Sequence, residues 1–73
     1  MKISARNIID IVSWLGNNVS REVYASEYKY HDIWHIWTAQ DSSWRVVKSG
    51  EELNADIWCQ DPKYETYIAL RWL

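Results

Sequence analysis

The stretch Leu53-Asn54-Ala55-Asp56-Ile57-Trp58-Cys59-Gln60-Asp61-Pro62-Lys63-Tyr64-Glu65-Thr66-Tyr67-Ile68-Ala69-Leu70-Arg71-Trp72 decides the fold. Asp61 and Pro62 suit the first two positions of a type I turn, where a side-chain acceptor and a fixed φ are favoured, and such a turn makes the stretch a β-hairpin. Side chains alternate faces with a period of two, so Ile57 faces Ile68, Cys59 faces Thr66, Ala55 faces Leu70 and Leu53 faces Trp72. That face is expected to be core. The other carries Asn54, Asp56, Trp58, Gln60, Glu65, Tyr67, Ala69 and Arg71, with Trp58 directly across from Tyr67 in the same register.

Upstream, Ser4 can cap a helix whose residues Ile8, Ile11, Val12 and Leu15 follow the spacing of one helical face. Ile3 and Ile8 would form a hydrophobic staple across the cap, and Gly16 would close the last turn. These signals predict a helix over 5–15. A second helix can start at Asn18 or Ser20 and run to Tyr28, placing Tyr24 and Tyr28 one above the other; its end is undefined, and 19–38 reads as helix, strand or both. Tyr, Ile and Trp then suit a pleated surface, predicting a strand over 33–39, with Asp41-Ser42 turning the chain into a second strand over 44–48.

The resulting expectation is an α+β fold in one domain, 1–73, with one or two N-terminal helices packed on a four-stranded antiparallel β-meander. The 33–48 hairpin does not declare its inner face. Trp37, Trp44 and Val46 share one side of it, and Trp34, Ile36 and Val47 share the other.

Composition narrows the function. A chain of 73 residues lies near the size where one core is only just sufficient, and a lone Cys59 excludes an intrachain disulfide. Burial must come from six Trp and five Tyr, each ring hiding about 150 to 250 Å². Ten acidic residues against eight basic ones give a net charge of −2, which argues against direct binding of a polyanion such as nucleic acid. Asp10 interrupts the apolar run near the N-terminus, so no signal peptide is expected, and no stretch has the roughly 20 apolar residues of a membrane span. With an unpaired cysteine, a soluble cytoplasmic setting is the simplest expectation.

No chemistry-bearing motif stands out. His31-Asp32-Ile33-Trp34-His35 has zincin spacing with Asp in place of the catalytic Glu. That metal-dependent hydrolase reading needs a helix, because residues four apart on a strand are roughly 13 Å apart. The expected strand leaves two ordinary histidines and no metal ligand. Cys59 falls on the core face, where cysteine acts as a small hydrophobe. No nucleophile elbow or phosphate-cradling loop is present, and neither a catalytic residue nor a cofactor is expected. The acids Glu22, Glu27 and Asp32 recur every five residues, which is no helical period, and Arg21 and Lys29 interrupt them, so a solvated mixed-charge face accounts for them.

The aromatic surplus remains. Trp58 and Tyr67, with Arg71, Asp56 and Glu65 around them and Trp34 as an extension, form the expected partner-binding surface, since Trp, Tyr and Arg dominate interface energetics. The bland alternative is an aromatic pair that only stabilises the sheet, by about 0.2 to 1 kcal/mol. The leading expectation is a non-enzymatic protein-binding module acting by occlusion. The alternative is an aromatic platform for a small ligand, modified peptide or sugar. A homodimer through an edge strand is a further option. In size and composition, though in no residue motif, the chain resembles the small inhibitors that phages and mobile elements encode against host defence complexes, anti-CRISPR proteins among them. That resemblance implies a protein partner in the host cytoplasm and assigns no residue.

Overall fold

Asp61 starts a helix, not a hairpin turn. In the computed structural model, which describes residues 1–73, its carboxylate accepts the Lys63 N–H at 3.0 Å and Pro62 takes the first helical position. An Asp cap followed by Pro is a strong helix start, because the side chain satisfies an orphan donor while proline has none to satisfy. The elements in chain order are β1 (Lys2–Ser4), a 3-10 turn (Ala5–Asn7), α1 (Ile8–Asn18), β2 (Glu22–Lys29), β3 (Asp32–Ala39), β4 (Trp44–Ser49), β5 (Asn54–Cys59) and α2 (Pro62–Trp72).

The expected hairpin is therefore half right. Ala55, Ile57 and Cys59 are buried and Asn54, Asp56 and Trp58 exposed, as alternation requires. Beyond Asp61 the partner strand is replaced by α2. Ile68 is buried, and Tyr64 and Trp72 pack beside it, because residues four apart share a helix face. Leu70, which a strand would bury, is 84% exposed.

The fold is α+β with a five-stranded antiparallel sheet, ordered β1-β5-β4-β3-β2. The count exceeds the expected four, and the second helix lies at the C-terminus. Two strands, β1 and β2, are additional and one expected strand is lost to α2; in β1, Ile3 lies beside Ala55 and the terminal ammonium donates to the Ile57 carbonyl at 2.8 Å. The helix expected after Asn18 is the strand β2, which pairs with β3 along its whole length. Tyr24 and Tyr28 thus share a strand face, not a helix face. Tyr30 and His31, at φ 53° and 60°, make the two-residue turn between these strands, the mirror-image geometry that matches strand twist.

Helix α1 begins and ends later than expected. Ser4 makes no side-chain cap, and the chain enters through the 3-10 turn, although Ile3 and Ile8 are both buried. Gly16 does not stop the helix, which runs on to Asn18 and closes with the Val19 and Ser20 N–H groups both on the Leu15 carbonyl.

One apolar cluster joins Ile11, Leu15 and Ile68 of the helices to Ile3, Trp44, Val46, Ala55, Ile57 and Cys59 of the sheet. Both helices therefore cover the same face. The inner side of the β3–β4 hairpin is the one with Trp37, Trp44 and Val46. Trp44 is fully buried and its indole N–H donates to the Ser20 carbonyl at 2.9 Å, so its one polar atom is satisfied. Neither helix is long and apolar enough to cross a membrane.

At the far end of the sheet Asp32 ties two turns together. Its carboxylate accepts the N–H of Ile33 at 2.8 Å and of Glu51 at 3.4 Å. Gly50 passes so close that an added Cβ would lie 2.9 Å from that carboxylate, so glycine there leaves room for the Asp32 side chain between the two turns.

Candidate interaction face

With both helices on one side, the opposite face of the sheet is left open. Register decides which side chains it carries. Trp58 pairs with Arg45, Asp56 with Val47, Val47 with Ile36 and Glu27 with Trp34. Directly opposed residues in an antiparallel ladder point to the same face. Trp58, Val47, Ile36 and Trp34 therefore form an apolar band running diagonally across three strands, β5, β4 and β3, with Val23 and Ala25 of β2 at its outer margin.

Trp58 is 52% exposed. Trp34, Ile36 and Val47 are half-buried by their neighbours. The Trp34 indole N–H donates to the Lys29 carbonyl at 3.1 Å, which fixes the ring against the base of the β2–β3 turn. Two shallow hollows flank the band. One, of about 210 Å³, is lined by Glu27, Lys29, Tyr30 and Trp34, and the other, of about 310 Å³, by Met1, Asp56, Trp58 and Glu65; Arg45 and Val47 line both.

The six expected interface residues divide between two sides of the molecule. Trp58, Asp56 and Trp34 stand on the open face. Glu65 sits at its rim, one carboxylate oxygen 3.7 Å from the terminal ammonium and the other accepting the Cys59 N–H at 3.4 Å. Tyr67 and Arg71 belong to α2, on the helical side. The expected Trp58–Tyr67 pair does not form, because Tyr67 is helical and stacks on Trp14 with ring centroids 4.4 Å apart and planes at 17°. Arg71 lies 4.9 Å from the Trp72 ring. The Trp14–Tyr67 stack joins α1 to α2.

Sequence reasoning missed a second aromatic group on the helix-bearing face, towards the β2 edge of the sheet. The Tyr24 hydroxyl and the His35 Nδ1 are hydrogen-bonded at 2.7 Å, and Tyr24 and Trp37 lie 5.3 Å apart. Reading 22–29 as a strand would have revealed it, since Tyr24 and Trp37 are register partners. His31 occupies the turn and His35 the strand, so the zincin spacing falls on a backbone that does not stack residues four apart.

Cys59 is sealed on the core face. Burial first, and the Glu65 carboxylate second, push its thiol up to about 11. It is protonated at neutral pH and is a poor nucleophile, since the thiolate is the reactive form.

No protein-family model, curated protein or solved structure matches the chain.

Proposed function

We propose that the chain is a non-catalytic protein-binding module that acts by occlusion, laying its open sheet face on a partner protein. The observation that carries this reading is the band Trp58–Val47–Ile36–Trp34, which crosses three strands, β5, β4 and β3, with no helix over it. One surface tryptophan needs no explanation, whereas a contiguous apolar band marks an interaction site. Arg45 lies centrally between the two hollows, and Trp and Arg are the side chains that most often anchor interfaces.

Five strands at about 4.8 Å spacing and six residues at about 3.3 Å rise make a plate about 24 by 20 Å. That is below the roughly 800 Å² that each partner buries in a standard interface, so residues at the rim are needed. Tyr30, which is exposed and lines the smaller hollow, is the nearest such addition. Size and acidic composition, not a residue motif, align the module with small inhibitors of host defence complexes.

The test is affinity capture with the native chain and with Trp58→Ala, Trp34→Ala and, as a helical-side control, Leu70→Ala. The proposal expects one protein retained by the native chain and the control and lost by both tryptophan variants. Equal retention by all four, or a saturable change in tryptophan fluorescence with a quaternary ammonium or a sugar and no captured protein, overturns it.

A further inference from the structure

The two edges of the sheet are unlike. Strand β1 is only three residues long, as expected of a protected edge. Strand β2 is eight residues long, exposed at every position, and contributes no residue to the core. Its backbone is half used. The Gln40 N–H donates to the Arg21 carbonyl at 2.8 Å, so in the β2–β3 ladder Arg21, Val23, Ala25, Glu27 and Lys29 turn their polar groups inward to β3. By alternation, Glu22, Tyr24, Ser26 and Tyr28 point their N–H and C=O groups out to solvent.

We infer that β2 pairs antiparallel with β2 of a second copy about a two-fold axis at Tyr24, joining two sheets into one. Only a register that brings the outward residues opposite one another makes the ladder, which puts the axis at a residue between Val23 and Glu27, and an axis at Glu27 sets that carboxylate opposite itself. Charge chooses among these. An axis at Tyr24 sets Arg21 opposite Glu27 of the second copy and, by symmetry, Glu27 opposite its Arg21, in the close non-hydrogen-bonded pairs. An axis at Ala25 would set Arg21 opposite Lys29, and axes at Val23 and Ser26 pair no opposite charges. Val23 meets Ala25 on the same face, and on the other face the two Tyr24 side chains meet at the axis while Glu22 meets Ser26.

This pairing is distinct from the docking surface proposed above and stands or falls separately. It would extend the open face across both copies, because Val23 and Ala25 lie at its margin.

The experiment is sedimentation velocity on the full chain over a range of concentrations, with Arg21→Glu, Glu27→Arg and the double variant, each checked for native circular dichroism. The native chain is expected to run as a dimer at the upper concentrations. Each single variant replaces two attractive pairs by two repulsive ones and is expected to weaken the dimer about tenfold or more. The double variant restores the pairs with reversed polarity and should recover the native value. Ser26→Pro removes an outward N–H that β3 does not use, which an edge strand tolerates, and it should be monomeric and folded. A chain that is monomeric throughout, a double variant no better than the singles, or a folded Ser26→Pro dimer overturns the inference.

Discussion

Arg45 lies directly opposite Trp58 on neighbouring strands, and both side chains stand on the face of the sheet that neither helix covers. One residue nearer the N-terminus on β4, Trp44 is opposite Cys59 and fully buried. The period of a strand thus separates two tryptophans with opposite duties.

Their alanine variants should behave oppositely. Trp44→Ala empties a closed site and leaves the Ser20 carbonyl without its donor, a loss of about 3 to 5 kcal/mol. In a domain of this size that is most of the stability. Trp58→Ala should cost less than about 1 kcal/mol, because the ring is already half in water. Urea denaturation of both variants checks the contrast.

The Cys59 thiol links stability to alkaline pH. An unfolded thiol ionises near 9, while in the folded protein it holds its proton to about 11. Its contribution is therefore complete below pH 9 and is lost as pH rises towards 11. Stability should fall more steeply over that window in the native chain than in Cys59→Ala, measured by denaturant titration at successive pH values. Alkylation of the native thiol at pH 8 should likewise be slow, and fast once the chain is denatured.

The turn between β2 and β3 holds Tyr30 and His31 at positive φ, where side chains with a Cβ cost roughly 1 to 2 kcal/mol each. Tyr30→Asn with His31→Gly supplies the residues that this turn favours and should raise stability by about 1 to 2 kcal/mol, seen as a higher midpoint in thermal denaturation. If Tyr30 adds area to the docking surface, the same variant should bind its partner less tightly. A chain that keeps a costly pair where a cheaper one fits is consistent with a tip kept for contact.

Asp61→Ala separates the helix from the hairpin. Loss of the cap should cost about 1 kcal/mol and lower the helical signal in circular dichroism. A hairpin would leave that signal unchanged.

How much of this was legible varies with the residue. The alternation of Asn54 to Cys59 is unambiguous, because no helical face groups Ala55, Ile57 and Cys59 against Asp56 and Trp58. Tyr64, Ile68 and Trp72 are ambiguous by arithmetic, since a spacing of four is both two strand repeats and about one helical turn. Tyr24 and Tyr28 have the same spacing, and there the structure chose strand. Asp61-Pro62 serves a turn and a helix start alike, so local chemistry did not arbitrate.

The open face was readable only in part. Trp34, Ile36 and Val47 share a side by alternation alone. That this side is the bare one depends on where both helices pack, and α2 was read as a strand. The Trp58–Tyr67 pair failed for that reason, while Trp58 kept its exposed position because its own strand was read correctly.

The most direct measurement is a comparison of Trp58→Glu with the native chain for both denaturation midpoint and capture of the partner protein. The account predicts a midpoint close to native, since a carboxylate on an uncovered face stays hydrated, together with loss of capture. A variant that unfolds, showing the indole to be sealed, or one that captures its partner as well as the native chain does, would contradict it.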